Sequence, residues 1–159
     1  MNFIAAVQAL VDEGAEFVII GGWSAILHGS SSVTNDLDIC YSRQTENLKR
    51  VTAALTPFHP RLRDLPEGLP FIWDPATLRN TAILTLSTDL GAIDLLAEVT
   101  GLGSFEEVKA NSILVQAFER DVWTLDLPAL IRAKRAAGRA KDLQVLPELE
   151  GLLEANKPE

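Results

Sequence analysis

Residues 17–41, FVIIGGWSAILHGSSSVTNDLDICY, constrain the fold more tightly than any other stretch. Glu16–Ile20 reads as a short strand, and its apolar run suits a position buried on both faces of a sheet. It breaks at once into Gly21-Gly22, and Gly22–His28 reads as a helix that Gly29 stops. A buried strand turning through two glycines into a helix leaves free N–H groups at the helix start, an anion cradle to which Ser24 adds a hydroxyl. The same Gly-Gly pair also reads simply as a turn. About a dozen residues later a second strand, Leu37–Tyr41, opens on Asp36-Leu37-Asp38-Ile39. Alternate strand residues share a face, so Asp36 and Asp38 stand side by side. Such carboxylates raise one another's pKa unless a cation compensates. Mg²⁺ suits one or two carboxylates plus substrate phosphates. A solvated pair at a strand edge is the structural alternative.

Asp94 lies in Gly91-Ala92-Ile93-Asp94-Leu95-Leu96, a lone charge in an apolar strand. Burying it is costly unless it is paired or bound to metal. If its strand neighbours Asp36 and Asp38, three carboxylates converge on a site for two metal ions. Asp94 is then also placed to act as general base on an attacking hydroxyl. A salt bridge to Lys134, Arg139 or Arg79 is the alternative.

The rest of the chain reads as one α+β domain over 1–159, a mixed sheet flanked by helices. Its core covers about 1–126 and a helical C-terminal segment about 127–156. Residues 2–13 form a helix capped by Asn2, with Phe3, Ile4, Val7, Leu10 and Val11 as its apolar stripe. Thr45–Leu55 is a helix. Residues 57–80 are proline-rich and irregular, with a short strand expected at Phe71–Trp73. Ala82–Ser87 and Ala92–Val99 form a hairpin, and Ser112–Phe118 and Asp121–Leu125 form another around Glu119-Arg120. Phe105–Ala110, Pro128–Ala137 and Lys141–Ala155 are helices, the last dented by Pro147. If the helix runs on past Ala137, Lys134, Gly138 and Lys141 share a face.

With a net charge of −8, the chain is not expected to bind nucleic acid non-specifically over its whole surface. Yet Arg132, Lys134, Arg135, Arg139 and Lys141, five of its 14 basic residues, fall within ten positions. That cluster suits a small polyanion, or simply a solvated helix face. The single cysteine, Cys40, excludes an intramolecular disulfide framework and is at home in a reducing cytoplasm. Glycines, His28 and a serine run break the longest uncharged stretch, so no membrane span is expected. The acidic residues Asp12 and Glu13 argue against a signal peptide. His28 reads as a helix cap, and Trp23 as a core anchor or a base-stacking platform.

GGWS, then DLD after a stretch containing Thr34, then a lone Asp on a later strand, resembles the nucleotidyltransferase superfamily that includes DNA polymerase β and kanamycin nucleotidyltransferase. HGSSSVTNDLDI, GAIDLL and IRAKRAAGRAKDLQVLPELE resemble more narrowly the small prokaryotic AbiEii-like group, some of whose members are toxins of toxin–antitoxin pairs. The resemblance implies transfer of a nucleoside monophosphate from an NTP to a hydroxyl acceptor: an RNA 3′ end, a protein or a small molecule. It implies that Gly21, Gly22, Ser24 and Thr34 help bind the nucleotide, with Lys134, Arg139 and Lys141 reaching back to the triphosphate beside Asp142. Asp36, Asp38 and Asp94 are then the catalytic carboxylates and ligands of two Mg²⁺ ions. A cognate antitoxin or toxin is an implied partner. One position departs from the family pattern: Ser32 stands where an arginine is expected. Serine cannot supply that bidentate donor, so either another cation such as Arg43 or Arg79 substitutes, or nucleotide binding is weaker. The alternative is a degenerate nucleotide-binding or regulatory protein of the same fold.

Overall fold

Strand β1 (Phe17–Ile20) lies inside the sheet because none of its side chains faces water. Phe17 and Ile19 point into one core, Val18 and Ile20 into the other. The computed structural model describes residues 2–66 and 68–157. In chain order the elements are α1 (Phe3–Asp12), β1, α2 (Gly21–Leu27), β2 (Asp36–Tyr41), α3 (Thr45–Leu55), a 3-10 turn (Thr56–Phe58), β3 (Arg61–Leu62) and α4 (Pro75–Arg79). There follow β4 (Ile83–Thr88), β5 (Gly91–Leu96), β6 (Glu98–Val99), β7 (Gly103–Ser104), α5 (Phe105–Ala110), β8 (Ser112–Ala117), β9 (Arg120–Leu125), α6 (Leu127–Ala137) and α7 (Ala140–Ala155).

Seven strands form one mixed sheet in the order β3-β4-β5-β2-β1-β9-β8, and β6 with β7 forms a small separate ladder. β1 is antiparallel to β2 and parallel to β9, while β2 is parallel to β5. Both expected hairpins form. The second turns through Phe118-Glu119, both at positive φ, because Ala117 pairs with Arg120.

Each face of the sheet carries its own core. Phe3, Leu10, Leu48, Val51, Leu55 and Leu78 of α1, α3 and α4 pack on Ile19, Leu37, Ile39 and Ile93. Ala25, Phe105, Leu130, Leu146 and Leu149 of α2, α5, α6 and α7 pack on Val18, Ile20 and Cys40. Among the described residues no helix is long and apolar enough to cross a membrane.

The proline-rich excursion differs from its reading. Phe71–Trp73 is not a strand. Asp74 caps α4, whose first turn holds Pro75, so no room remains for a ladder. Phe71 and Trp73 pack on the first core instead, and the Trp73 indole N–H donates to the Thr52 carbonyl at 3.1 Å. The excursion adds an edge strand earlier than expected, where Arg61 and Leu62 pair with Ser87 and Leu86.

Candidate functional site

Strand register brings the carboxylates together. β2 and β5 run parallel with Asp38 directly opposite Asp94 and Asp36 opposite Ala92. Asp36, Asp38 and Asp94 therefore share one sheet face, and one carboxylate oxygen of each lies within 4.8 Å of the other two. Burial pushes the Asp38 carboxyl up to about 7, reinforced by the charges of Asp94 and Asp36 and opposed by Lys134. Three half-buried oxygen donors that face one another match a hard divalent cation.

The glycines serve this cluster directly. Gly21 has φ +65, and a Cβ there would collide with Asp38 Oδ2. A Cβ on Gly22 would stand 2.7 Å from the Thr34 Cβ. Both positions are thus kept bare by the protein's own side chains, a reason that ligand approach alone did not reveal. Thr34 in turn donates to the Asp36 carbonyl at 3.2 Å, bracing the start of β2. Ser24 faces elsewhere. It is fully buried, with its Oγ 2.7 Å from Thr124 Oγ1.

Asp94 has a partner that sequence reasoning missed. Arg63 Nη2 donates to Asp94 Oδ1 at 2.7 Å and to the Leu86 carbonyl at 2.8 Å. Lys134, Arg139 and Arg79 do not make that bridge. Lys134 and Arg139 bond Asp142 instead, at 3.3 and 2.6 Å. Arg63 lies in the proline-rich excursion, where no periodicity marks a residue that points back to the sheet.

Asp142 organises the cationic side. It is fully buried, and its Oδ2 also accepts from the Arg139 backbone N–H at 3.2 Å, capping α7. Burial raises its carboxyl, but the hydrogen bond from Arg139 and the charge of Lys134 outweigh burial and hold it below its ordinary value. The two expected helices form as α6 and α7, and no continuous helix runs through Gly138. Gly138 adopts φ 65 and donates its N–H to the Lys134 carbonyl, ending α6. Lys134 and Lys141 therefore come from two helices, yet they line the same cavity.

That cavity, about 590 Å³, is lined by Gly22, Thr34, Asp36 and Asp38 from one part of the chain and by Lys134, Arg139 and Lys141 from another. Gly21 and Asp94 line an adjoining cavity, and Ser24 lines neither. Arg43 and Arg79 do not replace the missing arginine at Ser32. Neither lines the first cavity, and the Arg43 guanidinium is turned to the Arg79 carbonyl. The loop around Ser32 receives a carboxylate: Glu148 accepts from Ser30 Oγ, from the Ser31 N–H at 3.1 Å and from Ser31 Oγ at 2.8 Å. Nothing local in the sequence marks the contact of Glu148 with a loop over a hundred residues away.

The remaining singled-out residues are structural. Trp23 stacks edge-on against Phe3 and Phe118 in the first core. Burial pushes the Cys40 thiol up to about 12, leaving it inert. His28 ends α2, and its Nε2 lies 2.7 Å from the Leu125 carbonyl.

By sequence, no known protein family matches the chain, and no curated protein matches it significantly. By structure, it is similar to a Thermotoga maritima protein named as a candidate nucleotidyltransferase. That match has a TM-score of 0.57 and 13% identity, and covers 94% of this chain and 93% of that one. The chain thus has a nucleotidyltransferase-like fold, a mixed sheet flanked by helices, with an acidic cluster fit for a divalent metal.

Proposed function

We propose that the protein is a Mg²⁺-dependent nucleotidyltransferase that moves a nucleoside monophosphate from an NTP to a hydroxyl acceptor and releases pyrophosphate. The observation that carries this reading is the meeting of Asp36, Asp38 and Asp94 within 4.8 Å beside a cavity lined by Lys134, Arg139 and Lys141. When bound, two Mg²⁺ ions supply activation of the attacking hydroxyl and charge neutralisation on the leaving pyrophosphate. Asp36 and Asp38 would hold them, with Asp94 as third ligand. Arg63 fixes one Asp94 oxygen, leaving the other to take the acceptor's proton. Lys134 and Arg139, oriented by Asp142, and Lys141, which makes no ion pair among the described residues, bind the polyphosphate. Gly22 and Thr34 complete that cavity.

The motifs HGSSSVTNDLDI, GAIDLL and GRAKDLQ support a place in the AbiEii-like group, and with it a role in a cytoplasmic toxin–antitoxin pair. The test is incubation of purified protein with α-labelled NTPs, Mg²⁺ and separate RNA, protein and small-molecule acceptors. Transfer is expected, and Asp36→Ala and Asp94→Ala are expected to abolish it. A second reading, a nucleotide-binding partner without turnover, is favoured by Ser32 and by the Glu148 carboxylate seated in the serine loop. It predicts NTP binding with no transfer to any acceptor.

A further inference from the structure

Asp38, Lys134 and Arg139 line two cavities, so the acidic cluster sits between them. The first carries Lys141, the loop 31–36 and the Glu148 carboxylate. The second, about 440 Å³, is different in kind. Its uncharged lining is mostly apolar, with Ile83, Leu96, Val99, Leu130 and Ala133 beside Thr100. Ile83 is 58% exposed, an apolar side chain left in water at the edge of β4.

In-line displacement places attacking and leaving oxygens on opposite sides of the phosphorus. With the polyphosphate in the cation-lined cavity, the acceptor hydroxyl approaches from the other. Asp94, the group placed to take its proton, lines that second cavity and not the first. The acceptor oxygen bonds to the α-phosphorus, the bond to pyrophosphate breaks, and the hydroxyl proton passes to Asp94.

The lining also decides what kind of acceptor fits. A polynucleotide end brings a phosphate with every residue, and its affinity comes from lysines and arginines. The second cavity offers only Lys134 and Arg139, both shared with the first and both bonded to Asp142. Asp38, Asp94 and Asp142 add carboxylates of their own. Its volume falls within the roughly 300–1,000 Å³ of small-molecule sites. Resting on the nucleotidyl-transfer reading, we infer that this cavity is the acceptor subsite, and that it takes a small neutral hydroxyl compound with an apolar body, not a nucleic-acid 3′ end.

The test uses two probes, 2-naphthol and a labelled single-stranded oligoribonucleotide, each measured by equilibrium dialysis against the whole protein. Mg²⁺·NTP binding is followed in parallel by thermal shift. Wild type is expected to bind 2-naphthol more tightly than the oligoribonucleotide. Ala133→Phe, which fills the cavity, should weaken 2-naphthol binding by about tenfold or more while Mg²⁺·NTP binding stays within about twofold. Should Ala133→Phe fail to fold, Ile83→Lys at the exposed rim serves instead: 2-naphthol binding falls and oligoribonucleotide binding rises. Tighter binding of the oligoribonucleotide by wild type, no binding of 2-naphthol, or 2-naphthol binding unchanged in a folded variant overturns the inference. Loss of the nucleotidyl-transfer reading looks different: wild type shows no Mg²⁺·NTP shift while 2-naphthol still binds, and the acceptor assignment falls with it.

Discussion

The two faces of the sheet are built from the same strands and end in opposite chemistry. Beneath α1 and α3, β2 contributes Leu37 and Ile39, at 1% and 0% exposure. On the other face the same strand contributes Asp36, Asp38 and then Cys40. One residue of parity separates a sealed apolar layer from a carboxylate cluster. At β2 the first face is wholly apolar. On the second, Asp38 and its neighbours work against stability, and α6 and α7 supply the compensating charge.

The largest expected effect lies on the acidic face. Asp38→Ala should cut transfer on the order of 10³-fold, equivalent to about 4 kcal/mol of barrier. Without metal, its melting temperature should not fall, because a repelled carboxylate is removed. A matching loss of stability in calorimetry would erase the contrast between the faces. Ile39→Ala is the mirror experiment. It should cost about 2–5 kcal/mol in urea unfolding, with Mg²⁺ affinity of the folded fraction unchanged.

Asp142→Ala tests the compensating side. Breaking a buried ion pair costs about 3–5 kcal/mol, and the lower end applies here because Arg139 is 61% exposed. Mg²⁺·NTP binding should weaken with it, since Lys134 and Arg139 lose their anchor; urea unfolding reads the stability and titration calorimetry the binding. Unchanged nucleotide affinity in that variant would make the cationic side purely structural.

The smallest effect is the pH dependence of the metal-free protein. The Asp38 carboxyl rises from its ordinary 3.8 to about 7 in the fold. Between those values the folded protein holds a proton that the unfolded chain has lost, so stability falls as pH rises through about 7. Asp142 has the opposite sign: its depressed carboxyl stabilises above the unfolded value and loses that effect only below it. From pH 5 to 8 the melting temperature should therefore decline, by about 2–4 °C for each kcal/mol lost. Asp38→Asn should flatten the slope, and saturating Mg²⁺ should reverse it.

These contrasts were legible in the sequence where the physics is local. The spacing of Asp36 and Asp38, the all-apolar run at Phe17–Ile20 and the lone charge of Asp94 each follow from a strand's two-residue period. The pairing of β2 with β5, which turns three carboxylates into one cluster, is a tertiary choice that only the resemblance implied. In the sequence Gly21 and Gly22 read as room for a ligand, but Asp38 and Thr34 need them bare first. Arg63 and Glu148 stayed hidden because each reaches across the fold from a segment with no periodic signal. Ser24 read as a ligand donor because a sequence does not show which way a short helix rolls; here it rolls the hydroxyl onto Thr124.

The partnership between β1 and β9 has a consequence for how the chain is made. Ile19 accepts its hydrogen bond from Thr124 across 105 residues. At translation rates of about 5–20 residues per second, β1 waits on the order of 5–20 s for that neighbour to emerge. Through that interval FVII presents an unpaired apolar edge, the kind that recruits strands from other chains. The slow step in maturation is therefore expected at closure of this seam, and chaperone dependence should track the delay before β9 is synthesised.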